Sequence, residues 1–506
     1  LRLDREALSL AIALVLVGAP VWALHAWLIR RTTQDPRVRA DELASAPRGV
    51  YFLVVLSVTL LGSLFAAGDA IAQIVRAVTL DYRIDELAAP TSTAMVMGAA
   101  WLGHVAVRRQ DLRREPARLA GDWTTRLYLY GASFVLVLAA LIMAAETLTI
   151  LGQELTGSQP LFEGPRWFEE MMPGTAAMAA VATAWWVVHI AMGDRLIRAP
   201  APMGEAHRHA RSRVAYFLAV ILLCAVAVLL SLGEALRHLL SGVLGVWQSI
   251  DQMRYEQQAY VPWISVLPFV AAWWFHGRRV SREALATGGE ALQDRVVRAR
   301  RLLVAFVGLA GLAFGTAWGV GGVVNLVGEA YRTGVLSSSI LRADVTLGVA
   351  AALVGAVLWL PAWYREQRER GRDPVVAAAS TARRSYLLAV SGVAVVAAML
   401  SFAWLVYQGI RVATDTGMAD DWTWAIGGIS VALVVLGYHL LTLRSDERVA
   451  AAARPAESEP VAADQAVEEL EILGPPDADF EAVNATIRSS LPKGFQLRIH
   501  SRHQAP

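Results

Sequence analysis

Apolar residues in this chain come in long unbroken runs, without the every-second-residue alternation of half-buried strands. The runs cover about 9–29, 50–75, 92–107, 128–152, 172–192, 214–240, 258–276, 302–328, 343–363, 386–410 and 423–443. Most reach the roughly 20 residues that a helix needs to cross a hydrocarbon core of about 30 Å. Backbone N–H and C=O groups find no water partner there, so each run is expected to be an α-helix that satisfies its own backbone. The runs are too long and too uniform for barrel strands. The pattern therefore predicts an all-α, polytopic membrane protein of about eleven transmembrane helices.

Composition agrees with this. Of 506 residues 56% are hydrophobic and only 18% charged, with a mean hydropathy of +0.43, which excludes an ordinary soluble domain, where about 25% of residues are charged. The single cysteine, Cys224, lies within the apolar stretch Ile221–Val226. Disulfides within the chain, four-thiolate zinc sites and iron–sulfur clusters are excluded by that count. Net charge is only +2, yet the cations are almost all arginine and are unevenly placed. They crowd into Arg30–Arg39, Arg108–Arg118, Arg195–Arg213, Arg278–Arg301 and Arg365–Arg384, while alternate connections such as Gln153–Glu170 and Asp415–Asp421 are acidic or neutral. The bias of basic loops toward the cytoplasm predicts that the Arg-rich set lies inside, at a cell membrane. The first helix then starts outside and the segment after Arg444 lies inside. The first run is too long for a signal peptide, lacks a small-residue cleavage site and ends in Arg30-Arg31.

Internal repetition is the strongest signal. Trp-x-x-His recurs at Trp22/His25, Trp101/His104, Trp186/His189 and Trp273/His276, with the histidines 79, 85 and 87 residues apart. One period on, Trp359 is kept but Ala362 stands at the histidine position. His439 follows, with Leu436 in place of its tryptophan. The outward helices begin where Arg precedes an aromatic, at Arg48/Tyr51, Arg126/Tyr128, Arg213/Tyr216 and Arg384/Tyr386, with Arg300-Arg301-Leu302-Leu303 as a degenerate copy. The unit is a two-helix hairpin. The expected division is a lone returning helix and loop at 1–47, then hairpin 1 at 48–125, hairpin 2 at 126–212, hairpin 3 at 213–299, hairpin 4 at 300–382, hairpin 5 at 383–444, and a cytoplasmic linker and tail at 445–506. A lone returning helix implies that any upstream reading frame encodes another Arg-aromatic outward helix.

The Arg-Leu-Tyr-Leu-Tyr lead-in at Arg126–Tyr130, with returning helices that end like Gly18–His25, resembles a bacterial membrane family, the domain of unknown function numbered 5671. The resemblance covers about residues 6–444. It implies a tandem-repeat membrane fold and carries no activity; Ala362 and Leu436 depart from its pattern.

Two sets of residues are candidate sites. Trp-x-x-His places both rings on one helix face, one turn apart, with Arg close below. The plain expectation is an interfacial belt whose arginines reach anionic lipid headgroups. The alternative is that His25, His104, His189, His276 and His439 lie at one depth as haem ligands or a proton relay. Asp69, Glu146 and Glu234 follow their lead-in arginines by 21, 20 and 21 residues, about 30 Å along a helix. That puts them near the outer boundary, where a carboxylate is cheap, or in an outward cavity as an ion or proton site. Gly321 and Trp404 occupy the matching positions in later hairpins. Gly311-x-x-x-Gly315-x-x-x-Gly319 predicts close helix packing.

In the tail, Ala451–Val461 reads as a linker. Asp479 caps a short helix carrying Phe480, Val483 and Ile487, and Phe495, Leu497 and Ile499 alternate as a strand. So short a segment is expected to dock on the cytoplasmic loops or on a protein partner, or to stay mobile. Phosphate-loop, zinc-pair and nucleophile-elbow motifs are missing from the sequence, and no cofactor and no nucleic-acid partner are expected. The sequence thus points to a non-enzymatic membrane scaffold or assembly subunit. The alternatives are a transporter or channel using the outer carboxylates and, further off, a haem-binding electron carrier.

Overall fold

The computed structural model describes residues 36–80, 87–156, 166–244, 260–333, 339–414 and 422–453, with four isolated positions before residue 32. Every regular element among them is helical. Two units are present, Leu1–Glu447 and Arg448–Pro506; all that follows concerns the first, except that the last helix runs on to Ala452. The first returning helix is described at isolated positions only, and His25, Trp22 and the tail elements lie outside the described residues.

In chain order the helices are α1 (Pro36–Leu43), α2 (Ala46–Leu80), α3 (Ala88–Arg114), α4 (Pro116–Leu119), α5 (Trp123–Thr156), α6 (Trp167–Ile197) and α7 (Met203–Arg208). There follow α8 (Arg211–Leu244), α9 (Val261–Ser265), α10 (Leu267–Thr333), α11 (Ser339–Arg372), α12 (Pro374–Ala379), α13 (Thr381–Ala413) and α14 (Thr423–Ala452). Among the described residues, eight helices are long and apolar enough to cross a membrane. Eleven spans are expected from the sequence, and the difference has three sources. The run at 9–29 is not described as a whole. The run at 92–107 forms α3, but its polar and arginine content keeps α3 out of the eight. The runs at 258–276 and 302–328 share one segment that is helical almost throughout, bent at Gly288–Gly289. Gly289 has a φ of 68°, left-handed backbone that only glycine adopts without strain. The bend turns the chain from hairpin 3 into hairpin 4.

Hairpin 1 is α2 with α3 and hairpin 2 is α5 with α6. Hairpin 3 is α8 with the first arm of α10, hairpin 4 the second arm of α10 with α11, and hairpin 5 α13 with α14. The core is not held inside single hairpins. One apolar cluster joins Leu56, Leu60 and Trp101 of hairpin 1 to Leu136 and Ala182 of hairpin 2. A second joins Val137 and Ile190 to Phe217, Ile221 and Cys224 of hairpin 3. A third joins Leu302, Leu309 and Trp363 of hairpin 4 to Tyr386, Leu387 and Leu443 of hairpin 5. The opposite faces carry exposed large apolar side chains, among them Phe65, Val96, Leu230, Val357, Leu400 and Val434. So many exposed large apolar side chains are unstable in water and are what lipid covers. The protein is a multi-pass, tandem-repeat membrane protein.

Small residues set the helix spacing in hairpin 4, as the glycine stripe predicts. A methyl group on Gly315 would fall on the backbone of Ala352 and Gly348, and one on Gly355 on that of Leu312 and Gly308. Gly311 faces elsewhere, against the Leu229 side chain on α8, and Gly427 of α14 lies against the Ala317 carbonyl. The second arm of α10 is thus touched at backbone distance on two sides. Because backbone cannot swing aside as a side chain can, Gly355→Val should destabilise the protein by about 3 kcal/mol or more, against less than about 1 kcal/mol for Gly392→Ala. Gly392 has no neighbour within 4 Å of an added methyl. Thermal melts of the two variants in one detergent check this; equal melting temperatures would contradict the backbone contact.

Candidate functional site

The Trp-x-x-His motif and the Arg-aromatic lead-in meet in space. Tyr51 of α2 bonds His104 of α3 (3.0 Å), Tyr128 of α5 bonds His189 of α6 (2.9 Å), and Tyr216 of α8 bonds His276 of α10 (3.1 Å). In each ring Nδ1 lies 2.7–2.8 Å from the carbonyl one turn back, at Ala100, Trp185 and Ala272. A carbonyl only accepts, so Nδ1 carries the proton and Nε2 of the neutral ring accepts from the tyrosine hydroxyl.

The tryptophan acts in the other direction. Trp101 Nε1 donates to Tyr128 (2.6 Å), Trp186 to Tyr216 (2.9 Å) and Trp359 to Tyr386 (3.0 Å), each reaching the next hairpin. The motif is therefore a clasp with two ends: histidine closes its own hairpin and tryptophan joins the following one. Trp101 also lies over His189 and Trp186 over His276, with ring centroids 5.6 and 5.7 Å apart. His104, His189 and His276 are thus connected at one level of the bundle. Two of the three, His189 and His276, are buried, as is His439.

Beneath the rings lies a layer of ion pairs that the sequence reading missed. Arg48 donates from Nε and Nη2 to Asp111 (3.1 and 2.7 Å), and Arg213 from the same atoms to Glu283 (2.7 and 2.6 Å). Arg383 donates to Asp446 (2.7 Å), and Arg301 makes a two-point pair with Glu369, at 2.8 Å in each arm. The signal was available. Asp111, Glu283, Glu369 and Asp446 each stand seven residues after the histidine position of their hairpin, and Arg48, Arg213 and Arg383 three before the tyrosine. In hairpin 5 the working arginine is therefore Arg383; Arg384, chosen from the sequence, is exposed. Guanidinium groups also lie over rings one turn on, Arg48 over Phe52 and Arg213 over Phe217, at 5.3 and 5.4 Å.

These contacts change the picture of a lipid-facing belt. Trp101 is buried, and so is Arg108, which pairs with Asp122. Arg279 is taken up by Asp194 and Glu283. Asp122 caps α5, accepting from the Thr125 backbone N–H (2.9 Å) and from the Thr124 and Thr125 hydroxyls. Burial raises its carboxyl, but the Thr125 bonds, Arg108 and Thr124 together outweigh that and hold it below the usual carboxylate range.

Two hairpins depart from the scheme, each by losing both members of a pair. Hairpin 4 lacks the tyrosine in its lead-in and has Ala362 at the histidine position; Leu302 and Ala362 pack in one apolar cluster instead. Its charge layer is kept, with Arg298 and Arg301 on Glu366 and Glu369, and Glu366 fully buried. Hairpin 2 has Thr125 and Leu196 where the arginine and the acid would stand. In hairpin 5 the pair is present but open: Tyr386 and His439 have ring centroids 5.8 Å apart, and His439 Nε2 has no hydrogen-bond partner.

The three outer carboxylates do not converge. Asp69 is exposed on α2, accepts from Gln73 (3.1 Å) and edges a cavity of about 570 Å³ with Arg76 and Thr93. Glu146 is exposed on α5. Glu234, half-buried on α8, is held by Arg237 (2.9 Å from Nε) and His238 (3.1 Å). Among the described residues no group of three or more His, Cys, Asp or Glu side chains is arranged to hold a metal.

The family described as Domain of unknown function (DUF5671) matches residues 1–99, 126–272 and 298–438. The chain belongs to that family. One of the three DUF5671 matches begins at the lead-in arginine Arg126, and another at Arg298, of the hairpin 4 charge layer. No curated protein and no solved structure matches the chain.

The clasp yields an ordered prediction. Tyr128→Phe orphans two buried groups, the Trp101 N–H and His189 Nε2, and should cost about 2–4 kcal/mol, whereas Tyr386→Phe orphans only the Trp359 N–H and should cost about half as much. Denaturant or thermal melts in detergent measure both, and equal losses would contradict the assignment.

Proposed function

We propose that this protein is a non-enzymatic membrane scaffold or assembly subunit, in which the ring and ion ladder fixes the order of the hairpins at one end of the bundle. The observation that carries this reading is that the tyrosine–histidine pairs of hairpins 1 to 3 and the buried ion pairs of that end are used up by one another. The lone pair of Nε2 in His104, His189 and His276 already receives a tyrosine hydroxyl. A haem iron would have to displace that bond. A proton relay is disfavoured at His189 and His276, because those two ring chains start at an indole N–H, which donates and cannot accept. The Arg-rich end is assigned to the cytoplasm of a cell membrane by the bias of basic loops. Residues 445–506 then lie inside, where they serve as the contact for a protein partner, and the arginines left exposed face anionic headgroups.

A second reading, a transporter, is favoured by one observation, the cavity of about 570 Å³ beside Asp69. Liposomes separate the two. The scaffold reading predicts no proton or cation flux above empty vesicles, and unchanged permeability in Asp69→Asn and Glu146→Gln. A substrate- or charge-dependent flux abolished by Asp69→Asn would overturn it. Orientation is tested in the same chain after Cys224→Ala, a replacement at a fully buried position. Glu115→Cys and Arg372→Cys should both react only from the cytoplasmic side.

A further inference from the structure

Hairpin 2, where the arginine–acid pair is missing, is also where the Arg-rich end opens. A cavity of about 550 Å³ lies between hairpins 1 and 2, and Thr125 and Leu196, the two residues standing in for the lost pair, both line it. The volume is in the range of small-ligand sites. Its inner wall is apolar, from Phe52, Leu53 and Leu56 on α2 to Leu129 on α5 and Met192 on α6. Its rim is cationic. Arg108 is committed to Asp122. Arg109, Arg113 and Arg195 also line the cavity, are exposed, and form no ion pair among the described residues.

An apolar wall with three uncommitted guanidinium groups at its edge matches one kind of molecule, an amphiphile whose anionic head sits at the end of a hydrocarbon chain. Guanidinium favours phosphate because its fork of N–H donors fits two oxygens at once. The cavity lies at the Arg-rich ends of helices long and apolar enough to cross a membrane, the ends at which basic side chains meet anionic headgroups. We propose that the cavity between hairpins 1 and 2 binds an anionic phospholipid, with its phosphate on Arg109, Arg113 and Arg195 and an acyl chain along Phe52, Leu53 and Met192. The absent ladder pair is thus replaced by a ligand: lipid phosphate supplies the negative charge that the missing acid would have brought. A free phosphate compound shares the head chemistry but leaves the apolar wall unused.

The test uses the purified full-length chain in neutral detergent with three probes: phosphatidylglycerol, phosphatidylcholine and glycerol 3-phosphate. Retention is read by native mass spectrometry and stabilisation by thermal melting. Phosphatidylglycerol should be retained and raise the melting temperature, while the other two do neither. The triple variant Arg109→Gln, Arg113→Gln, Arg195→Gln should weaken phosphatidylglycerol binding by at least about tenfold, since each basic side chain near an anionic headgroup adds to the attraction. Leu196→Trp, which fills the apolar side and keeps all three charges, should weaken it as well. Equal retention by the wild type and both variants overturns the proposal. Glycerol 3-phosphate binding as tightly as the lipid overturns it in favour of a soluble phosphate site. Failure here leaves the liposome flux result untouched, which is the measurement on which the scaffold reading turns.

Discussion

A polar side chain taken out of water must find its partner inside the protein, and in this chain that requirement orders everything at one end of the bundle. Apolar attraction cannot do so, because in lipid a leucine gains little by exchanging an acyl chain for another helix. Directional bonds between hairpins can. Trp101 reaching Tyr128 and Trp186 reaching Tyr216 set both the neighbour and the height of each hairpin. Arg213 does the same with charge, joining Asp194 of hairpin 2 to Glu283 of hairpin 3. Such pairs are demanding, since removal of one member of a buried ion pair typically costs about 3–5 kcal/mol.

The same demand explains how the ladder varies. A buried tyrosine without its histidine, or an arginine without its acid, would be left unsatisfied, so members are absent together. Hairpin 4 has neither ring and fills the place with Leu302 and Ala362. Hairpin 2 has neither charge and opens a cavity at Thr125 and Leu196. Between hairpins 3 and 4, where the ring clasp is interrupted, Gly311 lies against the Leu229 side chain and the chain bends at Gly288–Gly289, while backbone-distance glycine contacts space the helices within hairpin 4.

Most of the architecture was legible in the sequence because bilayer thickness and backbone satisfaction leave few options. Helices, hairpin unit and motif spacing all follow from apolar runs and period. The partners were not legible. Trp-x-x-His placed both rings on one face, but a single helix does not say which neighbour that face meets, so a lipid-facing belt read as well as an internal clasp. Asp111, Glu283, Glu369 and Asp446 were hidden among the arginines of basic loops, where an acid looks like local charge balance; only their common distance from the histidine position marks them. Asp69, Glu146 and Glu234 show the converse. Equal distance along a helix fixes depth but not azimuth, and three residues at one depth on α2, α5 and α8 point to different surroundings.

The most direct test of the ladder is a double-mutant cycle across a hairpin boundary. Trp186→Phe and Tyr216→Phe, singly and together, remove one bond that joins hairpin 2 to hairpin 3 while keeping an aromatic ring at each position. Unfolding free energies measured in one detergent should show a coupling of about 1 kcal/mol or more, the range for residues in one hydrogen-bond network. Additive losses, with a coupling indistinguishable from zero, would mean that the rings only fill space and that the order of the hairpins is set by something else.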